Sequence, residues 1–186
     1  MTAIQTDRLL LRRWRDADRE PFARMNADPR VMEHFPASMT RVESDAMIDR
    51  IEARFAARGY SLWAAELRAS GEFIGFIGLS VPAFQARFTP CVEIGWRLDA
   101  GYWGRGLATE GAQAVVRHAF AVVGLNELVS FTTEANLRSR RVMEKLGMTH
   151  DPADDFDHPN LAAGHPMRRH VLYRLEKSRW GVPASP

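Results

Sequence analysis

Residues 99–110 of this 186-residue chain read DAGYWGRGLATE, and this stretch decides the fold. An apolar, strand-like run, Val92–Leu98, precedes it, and a long amphipathic pattern, Ala112–Val123, follows it. Glycine lets a backbone turn tightly and approach a ligand closely. A helix that begins just after such a turn directs unpaired N–H groups and the positive end of its dipole into the turn. The stretch therefore predicts an anion-binding turn of the kind that holds phosphate groups.

The composition is that of an ordinary globular protein, with 46% hydrophobic and 26% charged residues. No apolar run approaches the roughly 18 residues of a membrane span, and the N-terminus lacks a signal-peptide cleavage site. A net charge of +2 does not demand nucleic acid, and the single cysteine, Cys91, allows no intrachain disulfide. We therefore expect one domain over residues 1–180 with a flexible tail over 181–186. We also expect a cytoplasmic monomer or homodimer with no direct nucleic-acid or membrane partner.

Hydrophobic periodicity predicts strands and helices on both sides of the turn. Strands are predicted over Arg8–Trp14, Ser61–Leu67, Phe73–Ser80, Cys91–Leu98, Glu127–Thr133 and His170–Glu176. Helices are predicted from Asp16 or Asp18 to about Met25, from the Thr40–Glu43 capping box to Gly59, from Ala112 to Gly124, and over Asn136–Leu146. Loops are predicted over Arg30–Met39, Pro82–Pro90 and Asp151–Pro166. This order predicts an α/β (α+β) class with a mixed sheet and helices on its faces.

Two nucleotide-binding turns are inconsistent with the glycine pattern. A P-loop needs Gly-Lys followed by Ser or Thr, but Leu107 follows Gly106. A dinucleotide fingerprint starting at Gly104 would need a third glycine where Thr109 stands, and it belongs after an early first strand.

The segment Trp103–Ala108 resembles the acyl-CoA signature Q/R-x-x-G-x-G/A of the GCN5-related N-acetyltransferase (GNAT) family, with tryptophan at the first position. The phrase YWGRGLATE also resembles the ribosomal-protein N-terminal acetyltransferase branch (RimJ/RimL-like). Three more segments resemble that branch in the same order. They are Thr6–Arg12, Asn136–Met148, and Asp155–Pro159 with His170–Tyr173.

The resemblance implies a GNAT fold, in which a mostly antiparallel mixed sheet is splayed at the acyl-CoA site. It implies an enzyme that transfers acetyl from acetyl-CoA directly to a primary amine, foremost a protein N-terminal α-amine. A small amine such as an antibiotic, a polyamine or an amino acid is the alternative acceptor. A non-catalytic acyl-CoA sensor is the alternative function.

Coenzyme A would occupy the glycine turn and the strand before it. Backbone N–H groups of the turn would bind the diphosphate, Arg105 would add charge at the rim, and the strand edge would meet the pantetheine amides. The expected cofactor-binding residues are Trp96, Arg97, Leu98, Trp103, Gly104, Arg105, Gly106, Leu107, Ala108, Thr109, Asn136 and Ser139.

Asn136 and Ser139 lie one helical turn apart and share a face. Asn136 is either a helix N-cap without a ligand role or, by the resemblance, a contact to the pantetheine arm. Many relatives carry, where this chain has Met143, a tyrosine that protonates the departing thiolate. We hypothesise that Ser139, or a water that it holds, takes this role.

Glu93 is the candidate catalytic base for the attacking amine. It shares a strand face with Arg97, so a Glu93–Arg97 surface pair is the open alternative. Asp155, Asp157 and His158 are second candidates, for which turn chemistry is the alternative.

The acceptor pocket is expected, from the family position of the loops, to include His34, Phe35, Phe84, Asp157 and His158. Ordinary loop anchoring in the core is the alternative for the aromatic residues. An acyl-enzyme at Cys91 is disfavoured because no basic partner is placed beside it. The histidines show no HExxH spacing, so we expect no metal.

Overall fold

The computed structural model describes residues 3–181 of the chain. The tail expected over 181–186 therefore lies, apart from Gly181, outside the described residues. The strands are β1 (Ile4–Gln5), β2 (Leu9–Arg12), β3 (Leu62–Leu67), β4 (Phe73–Ser80), β5 (Glu93–Leu98), β6 (Glu127–Thr133), β7 (Thr149–His150), β8 (Phe156–Asp157) and β9 (Arg169–Glu176). The α-helices are α1 (Arg19–Ala27), α2 (Arg41–Arg58), α3 (Leu107–His118) and α4 (Leu137–Lys145).

The strands form one sheet in the order β1-β2-β3-β4-β5-β6-β9-β7, with β8 also paired to β9. The pair β5–β6 is parallel, and every other pair within residues 3–181 is antiparallel. The predicted mixed, mostly antiparallel sheet is confirmed. No helix in the described part of the chain is both long and apolar enough to cross a membrane.

Helices cover both faces of this sheet. Phe76 and Ile77 are neighbours in β4, so their side chains point to opposite faces. Phe22 of α1 packs against Phe76, with 6.1 Å between the ring centroids. On the other face, α3 approaches Ile77 so closely that a Cβ built on Gly111 would lie 2.3 Å from the Ile77 Cδ1 atom. Thus α1 and α3 lie on opposite sides of β4.

The strands β5 and β6 diverge almost as soon as they pair. Their one register pair in the described residues is Glu93↔Val129, supported by a hydrogen bond of 2.9 Å from the Val129 N–H to the Val92 carbonyl. Strand β6 is paired with β9 from Glu127 to Thr133. The edge of β5 that faces β6 therefore lacks a neighbouring strand beyond Glu93, and the expected splay is present.

The helix boundaries follow the capping signals in the sequence. The Thr40 hydroxyl accepts a hydrogen bond from the Glu43 N–H at 3.3 Å, and the Glu43 carboxylate accepts one from the Thr40 N–H at 2.8 Å. The helix α2 ends at Gly59, whose φ of 80° is in the left-handed region that glycine adopts without strain. The predicted capping box and glycine stop are confirmed.

Several elements differ from the sequence-based expectation, and the helix α3 begins at Leu107 instead of Ala112. The residues after α3, Ala119–Val123, continue it as a π-helical turn before Gly124 ends the element. The predicted loop Asp151–Pro166 contains a 3₁₀ turn, Pro152–Asp154, and the strand β8, which pairs with β9. Strands of two residues are too short for an alternating pattern, so β1, β7 and β8 leave no periodic signal.

Candidate active site

A cavity of about 800 Å³ opens where β5 and β6 separate. Its wall combines these two strands with the glycine turn, one side of α4 along its length and the loop after α1. The predicted site residues that line it are His34, Phe35, Glu93, Trp96, Arg97, Leu98, Trp103, Gly104, Gly106, Leu107, Ala108, Thr109, Asn136, Ser139 and His158. The predicted residues outside its lining are Phe84, Arg105 and Asp157.

The glycine turn presents a row of unused backbone donors. Gly104 and Gly106 have φ values of 75° and 77°, which a residue with a side chain rarely adopts. Within residues 3–181, none of the N–H groups from Gly104 to Thr109 donates a hydrogen bond to another backbone or side-chain group. The next N–H, that of Glu110, donates to the Gly106 carbonyl at 3.0 Å. Successive free N–H groups at a helix N-terminus fit the diphosphate of coenzyme A.

Arg8 fastens this turn to the start of β2. Its guanidinium donates to the Arg105 carbonyl at 2.9 Å and forms an ion pair of 2.6 Å with Glu110. The side chain of Arg105 instead lies over the ring of Tyr102, 5.2 Å from the ring centroid. The expectation that the Arg105 side chain adds charge at the cofactor site is wrong, because this side chain does not line the cavity, and only the backbone N–H of Arg105 remains for the cofactor.

The open edge of β5 offers partners for an amide-bearing arm. The Asp99 N–H donates to β4, at the Ile74 carbonyl, whereas the Val92 carbonyl faces β6. Because peptide groups alternate in direction along a strand, those of Trp96 and Leu98 face the open edge. Those of Arg97 face β4, so Arg97 has no backbone group for the cofactor arm, contrary to expectation.

Trp103 uses one of the hydrogen-bond acceptors on the open edge of β5. Its indole N–H donates to the Leu98 carbonyl at 2.8 Å. The Arg138 guanidinium covers its ring, 4.6 Å from the centroid. The tryptophan that departs from the family signature thus closes the end of β5 instead of adding a polar side chain for a ligand.

Asn136 caps α4 and also lines the cavity. Its Oδ1 atom accepts from the Ser139 N–H at 3.2 Å, and its Nδ2 atom donates to the Thr132 hydroxyl at 2.9 Å. Both ends of the amide are therefore used within the protein, as the N-cap alternative requires. The hydroxyl of Ser139 has no hydrogen-bond partner in the described residues and lies in the cavity wall. Met143 is 1% exposed and belongs to the core.

Glu93 stands where the two strands separate. Its Oε2 atom accepts a hydrogen bond of 2.8 Å from the Ser80 hydroxyl, and Oε1 has no partner in the described residues. Burial raises the pKa of Glu93 to about 7, against smaller opposing effects of the Ser80 hydrogen bond and the charge of Arg54. No ion pair joins Glu93 to Arg97. The alternative of a surface pair between them is therefore wrong.

The loop after α1 closes one side of the cavity. The Nδ1 atom of His34 lies 3.3 Å from the Thr133 hydroxyl at the end of β6. Phe35 covers the guanidinium of Arg97, with its ring centroid 4.1 Å from Cζ. Of the predicted acceptor residues, His34 thus contacts β6 and Phe35 contacts β5.

His158 and His170 form another part of the wall, with 5.1 Å between their ring centroids. Burial lowers the pKa of both rings, which favours their neutral forms. The ring centroid of Phe84 lies 4.7 Å from that of His158, with the rings tilted, in an aromatic cluster that includes Phe88, Phe131 and Phe156. The expectation that Phe84 lines the acceptor pocket is wrong, because its ring does not line the cavity and packs against residues that do, such as Phe131 and His158.

The acidic candidates in the following loop are held by other residues. Asp155 accepts from His150 at 2.7 Å. Asp157 lies 3.4 Å from Arg168 and 3.7 Å from Arg169. Asp157 therefore serves ion pairs outside the cavity, contrary to its predicted substrate role.

Cys91 packs beside the aromatic cluster and does not line the cavity. Burial, and secondly the charge of Glu93, raises the pKa of its thiol to about 11. A protonated thiol is a poor nucleophile. Within residues 3–181, no three His, Cys, Asp or Glu side chains gather to hold a metal ion.

Several basic residues line the cavity, and some belong to an arginine cluster that the sequence marks as able to serve an anionic ligand. Arg138 and Arg141 line it from α4, followed by Lys145 one turn later. The cluster Arg138, Arg140 and Arg141 was visible in the sequence. Its middle member turns away, since Arg140 donates to the Tyr173 hydroxyl at 3.2 Å. A local charge cluster thus marked the region but not the direction of each side chain.

The fold, the splay and the glycine turn together define an acyl-CoA-dependent acetyltransferase site. The acetyltransferase (GNAT) domain family matches residues 8–149, which is most of the chain. The chain belongs to this family, whose acyl donor is acetyl-CoA. The predicted family, enzyme class and cofactor are confirmed.

Individual relatives show how widely this domain is shared. An FsC-acetyl coenzyme A-N(2)-transacetylase of Aspergillus fumigatus is 32% identical over 173 residues, covering 87% of this chain and 71% of that protein. An acetyltransferase structure from Agrobacterium tumefaciens is 28% identical, with a TM-score of 0.76 and 95% of both chains covered. A structure of RimL, an alpha-N-protein acetyltransferase in complex with coenzyme A, is 14% identical, has a TM-score of 0.75, and covers 94% of this chain and 98% of that one. The last shares the fold alone.

Proposed function

We propose that this acetyltransferase transfers acetyl directly to a primary amine, and that its acceptor is an α-amine like that of a protein N-terminus. The observation that carries the proposal is Glu93, whose carboxyl group lines the cavity. Burial raises the pKa of this group to about 7. A catalytic base works best when its pKa lies near the working pH. Glu93 would take the amine proton with Oε1, while Ser80 holds Oε2.

The pKa of the attacking amine favours an α-amine over a lysine, whichever group removes its proton. The attacking amine must be neutral, and an α-ammonium has a pKa near 7.7–8.0, only about one unit above that of Glu93. A lysine ammonium, with a pKa near 10.4, would transfer its proton to Glu93 at a cost greater by roughly 3–4 kcal/mol. This extra cost is a property of lysine and not of Glu93.

The backbone donors described above account for the acyl donor. The N–H groups of residues 104–109 would hold the diphosphate, and the free peptide groups of Trp96 with the N–H of Leu98 would hold the pantetheine amides. Acetyl-CoA supplies a thioester carbonyl, which becomes more electrophilic when N–H groups donate to its oxygen. Asn136 is assigned first to ordering α4, because Oδ1 and Nδ2 each already have a partner there, and the second N–H of its amide remains for a ligand contact.

Ser139 is the proposed proton donor to the departing thiolate. We expect Ser139→Ala to lower kcat by about 3- to 10-fold and to leave the dissociation constant of acetyl-CoA nearly unchanged, because a thiolate leaves readily without help. Steady-state kinetics combined with calorimetry of acetyl-CoA binding would test this. Asn136→Ser, which retains a capping oxygen, is the control for disturbance of α4. A fully active Ser139→Ala protein would refute the role.

A small-molecule amine is the second candidate acceptor. It is favoured by the 32% identity to a protein named as an N(2)-transacetylase of FsC. Acceptor loops vary between enzymes of one fold, so this likeness does not identify the substrate.

Thiol release from acetyl-CoA would test the proposed function. The panel should contain peptides with free N-termini, the same peptides with blocked N-termini, and small amines. We expect turnover with free α-amines, none with the blocked peptides, and N-terminal acetylation by mass spectrometry. Turnover with small amines alone would select the second candidate. Tight coenzyme A binding without turnover of any amine would contradict both and favour an acyl-CoA sensor.

A further inference from the structure

We propose that the acceptor carries a carboxylate in addition to its amine, and that Arg97 binds this carboxylate. This inference rests on the proposed function, since it names the acceptor class of the same cavity. It begins from a cation that lines the cavity and has no acidic partner. No Asp or Glu within residues 3–181 forms an ion pair with Arg97.

The Arg97 guanidinium is oriented but not satisfied. Its Nη1 atom donates to Asn26 Oδ1 at 2.7 Å. Asn26 is itself fully buried, and its Nδ2 donates to the Ser44 hydroxyl at 2.9 Å. Thus Ser44 fixes the direction of the Asn26 amide, and Asn26 fixes one end of the guanidinium.

The opposite edge of the guanidinium has no hydrogen-bond partner among the described residues. The Nε atom is buried without a hydrogen-bond partner, and Nη2 has no partner among the described residues. These two nitrogens are neighbours on the edge that binds a carboxylate through two parallel hydrogen bonds. Burial of an unpaired cation is costly, and a bound anion would offset that cost.

The surroundings keep the cation charged and in place. Phe35 and Phe76 lie 4.1 and 5.4 Å from Cζ, within the range of cation–π attraction. Burial lowers the pKa of Arg97 to about 10, which still leaves it protonated at neutral pH. A permanent charge in contact with two aromatic rings can discriminate acidic acceptors from neutral ones.

This site belongs to the acceptor and not to coenzyme A. Arg97 and Phe76 are register partners, so their side chains share the face of the sheet that α1 covers. The glycine turn leads into α3, which packs on the opposite face beside Ile77. Phosphates held at the start of α3 are therefore on the other side of the sheet from the Arg97 side chain.

The spacing along β5 limits the shape of the acceptor. Glu93 and Arg97 point to one face, and four residue steps along the strand separate their Cα atoms by about 13 Å, a span into which the Glu93 carboxylate leans toward Gly95. Gly95 lies between them, and a Cβ there would meet only the Glu93 Oε1 atom, at 3.9 Å. The open floor suits an acceptor with several bonds between amine and carboxylate, as in a short peptide, better than a free α-amino acid.

Matched acids and amides would test the proposal in the intact protein. The first series is alanine, dialanine and trialanine, each as the free acid and as the C-terminal amide. The second is amidated tripeptides with Asp or Asn at the second or third position. Preference for free acids in the first series identifies a terminal carboxylate, and preference for Asp over Asn in the second identifies an acidic side chain.

We expect wild-type kcat/KM to favour the carboxylate form of at least one matched pair by about 10-fold or more. In Arg97→Gln this ratio should fall to near one, and in Arg97→Lys it should be intermediate, because lysine keeps the charge without the two-donor edge. Arg50→Gln, which removes an exposed arginine on α2, is the control and should keep the wild-type ratio.

Binding provides a second measurement that does not need turnover. N-acetyl-trialanine and its amide, or the favoured tripeptide pair in acetylated form, can be titrated into the protein with coenzyme A present. We expect the acid to bind at least about 10-fold more tightly to the wild type and no better than the amide to Arg97→Gln. Circular dichroism would establish that the variant is folded.

The outcomes separate this inference from the proposed function. Equal turnover and equal binding of acid and amide by the wild type would overturn the carboxylate site while leaving the acetyltransferase intact. Retained preference in a folded Arg97→Gln would overturn the role of Arg97. Absence of turnover with every amine, together with Arg97-dependent acid binding, would reject the proposed acceptor and support the anion site.

Discussion

Replacing Glu93 with glutamine is expected to lower kcat/KM by about 10²–10⁴-fold, the usual contribution of a catalytic base. Glutamine has nearly the same shape and can still accept a hydrogen bond from Ser80, so the cavity should be preserved. The wild-type rate should rise with pH as Glu93 loses its proton near pH 7. In the variant this limb should disappear, which leaves only the titration of the amine itself. Rates measured from pH 5.5 to 9 would test this.

The same substitution should stabilise the folded protein above neutral pH. Glu93 has a folded-state pKa of about 7 against 4.5 for the unperturbed group, so the folded state retains a proton that the unfolded state has lost. The free energy of unfolding therefore falls as pH rises from about 4.5 to 7, by on the order of 1–3 kcal/mol. Glu93→Gln removes this loss. Its melting temperature should exceed that of the wild type at pH 8 and be similar at pH 4.5.

Glu134→Gln is a matched control for this experiment, because Glu134 is exposed and its side chain has no ion pair in the described residues. It should leave both the rate and the pH dependence of stability unchanged. A Glu93→Gln enzyme with wild-type kcat/KM and the wild-type pH profile would show that another group, or water, removes the proton.

Gly75→Ala is expected to destabilise the protein by about 3–5 kcal/mol, because it combines backbone strain with a steric clash. Gly75 has a φ of 134°, and a Cβ there would lie 2.1 Å from the Arg97 carbonyl oxygen and 2.8 Å from the Leu98 Cα. Relief of the clash requires β5 to move away from β4. Urea unfolding monitored by tryptophan fluorescence would measure the loss.

Gly71→Ala separates the two causes of that loss. Gly71 has a φ of 73°, but a Cβ there would meet no atom within 4 Å. Its cost should be about 1–2 kcal/mol, from the left-handed backbone alone. Equal losses of unfolding free energy at the two positions would mean that β5 moves away from the methyl group added at Gly75 without a measurable cost.

Much of the scaffold could be predicted from local chemistry. The Thr40–Glu43 capping box and the glycine after α2 act within one helical turn, so the residues that decide them are adjacent in sequence. The glycine turn before α3 is local in the same way. The splay of β5 from β6 required the family resemblance, since no property of either strand alone shows where their pairing stops.

The side-chain roles were harder to predict because they depend on distant residues. Arg97 was assigned to the cofactor, yet its partner Asn26 is 71 positions away. Asp157 was assigned to the substrate, but arginines of the incoming β9 region hold it. Glu93 was recognised from strand alternation, whereas its shifted pKa depends on burial that only the assembled cavity produces.

The single pair Glu93↔Val129 joins β1–β5 to β6–β9 within the described residues. The sheet thus consists of two parts whose backbones are joined by one pair of residues. An extended molecule that enters the gap can pair with the open edge like an added strand. Its hydrogen bonds then take the place of the strand–strand hydrogen bonds that β5 and β6 do not make there. In the proposed complex, cohesion between the two parts of the sheet and affinity for acetyl-CoA would come from the same hydrogen bonds. Those bonds must break before product leaves, so tighter binding along the open edge carries a direct cost in turnover rate.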